Sequence, residues 1–216
     1  MQNEEQIFVG FSAASRAVAL LADYTRASKQ GLVSVLPLSA LSQEMLGVQQ
    51  LPCLLLQQEK PLGSLRVTSP YLIMRNITQH SKHEPIFFGK DAAEEQEVLS
   101  WFASVAHNEP ETLCALVNEH LADRVFLVTP HITAADLFAL AHVAPHLRES
   151  SSQEKLARPH LLRWINHMQN LPGLCTLLQE ANLTVKIPDI NAVDEPEEKK
   201  EISKAQQKKL QKQQQR

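Results

Sequence analysis

A clearly marked helix start, inside the segment 131–174, constrains this chain more than any other feature. Thr133 can act as an N-cap, and Asp136 stands three residues later, where its carboxylate can reach back to the Thr133 amide. The apolar residues that follow recur at helical spacing, as Leu137, Leu140, Ala141, Val143 and Ala144. The pattern predicts a helix with one buried side, which any capped core helix could also show.

A second amphipathic segment, LLRWINHMQ, occupies residues 161–169. Pro172 and Gly173 follow it, and this pair prevents the helix from continuing. Apolar residues at helical spacing also predict helices over 91–108, 111–124 and 174–180. With only 6 glycines in 216 residues, the second half of the chain is predicted to be entirely helical.

The first half of the chain alternates short apolar runs with helical patterns. Pro70 falls at the first position of its predicted helix, where a missing amide costs nothing. The predicted order is β-α-β-β-β-α. Its elements are strands at 6–11, 34–39, Cys53–Gln57 and Ser64–Val67, and helices over 15–30 and from Ser69.

Composition excludes several classes of protein. No run of about 18 apolar residues is present, and the N-terminus is acidic, so we expect neither a membrane span nor a signal peptide. Three distant cysteines indicate reduced thiols in a cytoplasmic protein. His142 and His146 have the spacing of a metal pair but lack a third ligand, so we expect no metal and no cofactor.

Charge is distributed unevenly along the chain. Residues 203–216 carry five basic residues and no acid, a charge of +5. Because the whole chain carries −3, residues 1–202 carry −8. An acidic body with a basic tail is expected when the tail contacts a polyanion. Lys204, Lys208, Lys209 and Lys212 would share one helix face and could bind RNA weakly without reading its sequence; a disordered solubilising tail is the alternative.

The capped helix at Thr133 and the later RW segment, in this order and spacing, resemble the C-terminal half of the glutathione transferase family. The first half resembles a thioredoxin-like unit, in which Pro52 stands at the family's cis-proline position. The resemblance covers about residues 6–182 and implies the α/β plus all-α fold class, with Trp164 in the core. We expect a thioredoxin-like lobe, a helical lobe, a linker and a basic tail, at 1–82, 90–183, 184–198 and 199–216.

An active transferase would need a hydroxyl to stabilise the glutathione thiolate, a cis-proline clamp and a polar pair for the glutamyl end. The resemblance offers Ser12, four residues before Arg16, together with Pro52, Thr68 and Ser69. Thr68 departs from the Glu or Gln usual in the family and has a shorter reach. Because Ser12 and Ser69 are also explained as helix N-caps, we expect no catalytic residue.

The RW-x-x-x-x-Q segment is most similar to the branch of the family attached to aminoacyl-tRNA synthetases. In that branch the transferase-like domains are assembly modules. Arg163 matches an arginine that bonds across an interface, and Asn166 and His167 could add rim contacts; pairing of Arg163 within its own chain is equally open.

We therefore expect a non-catalytic assembly module of a synthetase complex. Its partner would be a methionyl- or glutamyl-tRNA synthetase or another transferase-like domain, with a homodimer possible, and its tail would add tRNA affinity. The alternative is a glutathione transferase that uses Ser12.

Overall fold

The computed structural model describes residues 5–38, 50–57 and 64–188. Four strands form one mixed sheet in the order β2-β1-β3-β4, in which β1 and β2 are parallel and the other pairs antiparallel. The strands are β1 (Glu5–Val9), β2 (Val33–Pro37), β3 (Cys53–Gln57) and β4 (Ser64–Val67). Among the described residues, no helix is long and apolar enough to cross a lipid bilayer.

The alternation of side chains along β1 explains how the sheet is covered. Ile7 pairs with Leu54 of β3, and both are buried in the main core. Phe8 pairs with Cys53 and points to the other face, where the two form a separate small cluster. Both faces of the sheet therefore bury apolar side chains, as the continuous apolar run in β1 requires.

The described helices complete the two lobes. Helix α1 follows β1 and α2 follows β4, and the remaining helices form the second half of the chain. They are α1 (Ala13–Tyr24), α2 (Pro70–His80), α3 (Glu84–Phe87), α4 (Ala92–His107), α5 (Pro110–His120), α6 (Ala134–Glu149), α7 (Ser152–Leu156), α8 (Pro159–Gln169) and α9 (Leu174–Glu180).

Most of the predicted elements are confirmed. Strands β3 and β4 and helix α9 have the predicted bounds, and Gly173 has a positive φ of 82° at the predicted stop. The prediction for α1 was wrong at both ends. This helix starts at Ala13 because Ser12 is its N-cap, and it ends at Tyr24, shortly before the positive φ of Arg26.

Two short helices, α3 and α7, were missed. For α7 a signal was present, since Ser151 and Glu154 form a reciprocal capping box. The Ser151 amide donates to the Glu154 carboxylate at 2.7 Å, and the Glu154 amide donates to the Ser151 hydroxyl at 3.2 Å. These contacts mark the start of α7, which follows α6 and precedes α8 in the chain.

Helix α6 is the centre of the helical lobe and packs against α1, α4 and α5. It is buried nearly all round, which is why its apolar residues do not fall on one stripe. Aromatic contacts join it to the first lobe: Phe138 stacks on Phe102 at 4.3 Å, and Phe102 meets the edge of Tyr71 at 5.4 Å.

Ion pairs also join the two lobes. Arg75 of α2 donates to Glu84 of α3 at 2.8 Å and also pairs with Glu95 of α4. The Tyr71 hydroxyl donates to the same Glu95 carboxylate at 3.1 Å. Burial, together with Glu95, raises the pKa of Tyr71, so the phenol stays protonated and keeps donating at neutral pH.

Candidate functional site

A buried carboxylate organises the helical lobe. Asp136 is 0% exposed and accepts hydrogen bonds from the Thr133 amide at 2.9 Å and the Thr133 hydroxyl at 2.7 Å. It also accepts from the Leu127 amide at 3.0 Å and from Trp164 Nε1 at 3.3 Å. Burial raises the pKa of Asp136 and the four hydrogen bonds oppose that shift. The Asp136 carboxylate, which caps α6, therefore also binds the loop at Leu127 and helix α8 at Trp164.

Helix α8 is fixed at its start by a side chain from another helix. Its N-cap residue Arg158 supplies no side-chain cap. Instead, Asn118 Oδ1 of α5 accepts from the His160 and Leu161 amides, both at 3.1 Å. Sequence reasoning missed Asn118, because the partners are 42 and 43 residues apart.

We expect Asn118→Ala to lower the free energy of unfolding by about 1–2 kcal/mol, since two partly buried helix amides lose their acceptor. Asn118→Asp keeps an oxygen acceptor at a helix N-terminus and should lose much less. Urea unfolding followed by circular dichroism measures both. Equal losses in the two variants would show that the hydrogen bonds accepted by the side-chain oxygen of residue 118 contribute nothing to stability.

Helix α8, held by Asp136 through Trp164 and by Asn118 at its start, exposes one face to solvent. Its exposed residues Arg163, Asn166, His167 and Asn170 recur at i, i+3, i+4 and i+7, while Trp164 is 1% exposed. We call Arg163, Asn166 and His167, with the adjoining Val125 and Phe126, the α8 surface. Phe126 contacts the His167 ring at 5.3 Å between centroids, and Val125 is 57% exposed.

The structure brings the three residues of the expected interface together and adds an apolar neighbour, Val125, that sequence reasoning did not single out. Arg163 is also paired within its own chain: its Nη2 donates to the carbonyls of Leu121 and Arg124. Nε and Nη1 make no hydrogen bond with a described residue. The role of Arg163 in an interface stays a prediction.

The transferase-like residues meet at one end of the sheet. Phe8 of β1 lies opposite Cys53, and Val67 of β4 lies opposite Leu54. This register places the expected glutathione-site residues at the same end of the strands; they are Ser12, Pro52, Thr68 and Ser69. The Leu51–Pro52 peptide bond is cis, at the position that the resemblance indicated.

At that end of the strands, Ser12 and Ser69 both act as helix N-caps. The Ser12 hydroxyl accepts from the Ser15 amide at 3.2 Å and donates to the Ser15 hydroxyl at 3.0 Å. The Ser69 hydroxyl accepts from the Leu72 amide at 3.5 Å, and Thr68 is exposed. Ser15, rather than Ser12, is among the described residues that line a neighbouring cavity.

The histidines with metal-pair spacing have other partners. The His142 ring bonds the Phe138 carbonyl at 2.8 Å, and His146 pairs with Glu111 at 2.8 Å. Burial lowers the pKa of His142, so its ring is neutral at physiological pH. In the part of the chain that the structure describes, no three possible ligands gather around one point.

Comparisons with known proteins agree with this geometry. Residues 91–172 match the sequence profile of the family described as nuclear-export cofactor Arc1p. Eukaryotic translation elongation factor 1 epsilon-1 of Mus musculus is 24% identical over 136 residues, which is 59% of this chain and 75% of that protein. In fold the chain is glutathione transferase-like, and residues 91–172 are similar to the Arc1p cofactor family.

Solved structures show the same transferase-like fold. The transferase-like domain of elongation factor 1-gamma from Saccharomyces cerevisiae superposes with a TM-score of 0.64 at 13% identity, covering 87% of this chain and all of that domain. Human glutathione-S-transferase T1-1 superposes with a TM-score of 0.62 at 17% identity, covering 82% of this chain and 87% of that one. A glutathione transferase family member from Pseudomonas fluorescens, with two glutathione molecules bound, superposes with a TM-score of 0.64 at 13% identity. The match covers 86% of this chain and 96% of that one. The predicted fold class is confirmed.

The tail residues Lys204, Lys208, Lys209 and Lys212 lie outside the described residues. Their role therefore stays a prediction made from sequence.

Proposed function

We propose that this chain is a non-catalytic assembly module of a cytoplasmic aminoacyl-tRNA synthetase complex. It docks through the α8 surface onto the transferase-like domain of a synthetase, methionyl- or glutamyl-type. The match of residues 91–172 to the Arc1p family carries the proposal, because those residues include α8 and the two loop residues, Val125 and Phe126, that complete the α8 surface. The relative named for an elongation factor adds a second link to translation.

The chemistry of the α8 surface suits a protein partner. An exposed aliphatic residue, Val125, lies beside an arginine with unused donors and two side chains, Asn166 and His167, that can form rim hydrogen bonds. Arginine is enriched at the centres of interfaces because its planar guanidinium offers five donors. The two carbonyls that hold Arg163 keep that guanidinium in place before a partner arrives.

We expect Arg163→Ala to weaken association with the partner, or with a second copy, at least tenfold, while the free energy of unfolding falls by only about 1 kcal/mol. Sedimentation at micromolar concentration measures the association. Arg148→Ala is the matched control, since Arg148 also donates to a carbonyl of its own chain, that of Asn182, but lies outside the α8 surface. If the two variants associated alike, the α8 surface would not be the docking site.

A second candidate is a glutathione transferase that uses Ser12, supported by the transferases among the structural neighbours and by the cis-proline. Against it, the Ser12 hydroxyl donates to Ser15 instead of standing free for a thiolate. Retention on glutathione resin, with conjugation activity that Ser12→Ala abolishes, would establish the enzyme and overturn the assembly module.

We further propose that the basic tail adds tRNA affinity through Lys204, Lys208, Lys209 and Lys212. The rest of the chain, residues 1–202, carries a net charge of −8, which disfavours its contact with a polyanion.

A further inference from the structure

The loop between α5 and α6 carries part of the α8 surface but has no regular structure of its own. Residues 123–132 lie outside the helices and strands and form no backbone–backbone hydrogen bond with a described residue. Their amides and carbonyls therefore need side chains or water as partners. This loop carries Val125, which is 57% exposed, and Phe126, which packs on the His167 ring. The shape of the docking site thus depends on what holds the loop.

Side chains from α5, α6 and α8 hold this loop. Asp136 of α6 accepts from the Leu127 amide at 3.0 Å, and Arg163 of α8 donates to the Arg124 carbonyl at 2.9 Å. The His120 ring of α5 bonds the Leu127 carbonyl at 2.7 Å. Because a carbonyl oxygen only accepts, Nε2 of His120 carries the proton and donates. Leu127 is 0% exposed, so its backbone is held at both the amide and the carbonyl inside the protein.

The His120 ring is itself held in place. It lies in the last turn of α5, and Trp101 of α4 meets it edge to face, at 4.8 Å between centroids. Trp101 is 7% exposed, so the indole cannot move aside without disturbing the core. The hydrogen bond from His120 to the loop is therefore set by the packing of two helices.

Val125 lies between two fixed points of the loop. The carbonyl one residue before it is bonded by Arg163, and the carbonyl two residues after it is bonded by His120. Phe126, between these points, is 7% exposed and packs inward. A partner can bury an exposed side chain on a backbone held in this way with little further loss of conformational entropy.

We propose that His120 is a positioning residue of the α8 surface, and that Val125, which it holds in place, enters an apolar pocket of the partner. His120 acts through the loop, because its donor is used on the Leu127 carbonyl. This role rests on the proposed function and adds the chemistry that the partner must offer. That chemistry is a pocket lined by aliphatic side chains, next to a group that accepts from Arg163.

Substitutions at position 120 test the positioning. His120→Gln keeps an N–H at the Nε2 position, the amide of His120→Asn ends at the Nδ1 position, and His120→Ala has no donor. Sedimentation of the full chain with methionyl- or glutamyl-tRNA synthetase, at a temperature where every variant is folded, measures association. We expect alanine and asparagine to weaken it at least about fivefold, and glutamine to keep it within about twofold of the native chain.

His107→Ala is the matched control, since the His107 ring also bonds a carbonyl at 2.7 Å, that of Ala103 in its own helix. It should leave association unchanged. Amide hydrogen exchange at residues 124–127 reports on the loop directly. We expect it to be at least about tenfold faster in His120→Ala than in His107→Ala. A histidine that only stabilised the fold would change neither this local exchange nor the association of folded molecules.

Val125→Asp tests the apolar pocket, because a carboxylate cannot enter it without losing its hydration. We expect association to weaken at least about tenfold. Phe11→Asp is the control, since Phe11 is an 89% exposed loop residue outside the α8 surface. Binding by the native chain that the changes at positions 120 and 125 leave intact would refute this inference alone. A native chain that bound neither synthetase would refute the proposed function and, with it, this role of the loop.

Discussion

Replacing Asp136 with alanine is expected to lower the free energy of unfolding by about 3–5 kcal/mol, among the largest effects of any single substitution in this chain. The change leaves the Leu127 amide, Trp164 Nε1 and both donors of Thr133 buried without an acceptor. Relief of the buried carboxylate offsets part of that cost, so the loss is smaller than four separate penalties. Urea unfolding monitored by tryptophan fluorescence measures it directly, because Trp164 is one of the partners.

The amide Asp136→Asn separates lost hydrogen bonding from lost volume. Each carboxylate oxygen accepts from at least one N–H donor, so an amide NH₂ would face such a donor in either orientation. We expect a loss of about 2–4 kcal/mol although the size is unchanged. Glu119→Ala, at an exposed position of α5, should stay within about 0.5 kcal/mol of the native chain. A native-like Asp136→Asn variant would show that the network contributes little.

Removing residues 199–216 is expected to abolish retardation of tRNA at low salt. The four tail lysines are the closest grouping of cations in an acidic chain, and each phosphate contact that they make releases counterions. We expect affinity at about 50 mM salt to fall at least tenfold, with a shallower dependence on salt. Electrophoretic mobility shift at several salt concentrations measures both quantities.

A lysine-to-arginine variant at Lys204, Lys208, Lys209 and Lys212 is the matched control, since it keeps the charge and should keep the binding. Glutamine at the same four positions should behave like the truncation. Full tRNA binding by the truncated chain would instead place the RNA site on the folded body.

Features with local signatures were predictable from sequence. The Thr133–Asp136 cap, the helix stop at Gly173 and the bounds of β3 and β4 depend on residues within a few positions of one another. The Ser151–Glu154 box carried the same kind of signal for α7 and was overlooked. The fold class came from the resemblance of these elements, in their order and spacing, to the glutathione transferase family.

The contacts that shape the α8 surface were not predictable, because they join distant parts of the chain. The side chain of Asn118 that caps α8 and the carbonyls that hold Arg163 come from α5 and the turn after it, about 40 residues away. Nothing in the local pattern around Arg163 distinguishes an interface arginine from one paired within the chain. The structure shows the pairing through Nη2, while Nε and Nη1 bond no described residue.

Affinity purification of the full chain from a native lysate, with identification of the proteins that co-elute, tests the proposed assembly role. We expect a methionyl- or glutamyl-tRNA synthetase in the eluate of the native chain and of Arg148→Ala, and its loss with Arg163→Ala. An eluate without any synthetase, from a chain that is retained on glutathione and conjugates it through Ser12, would instead establish a transferase.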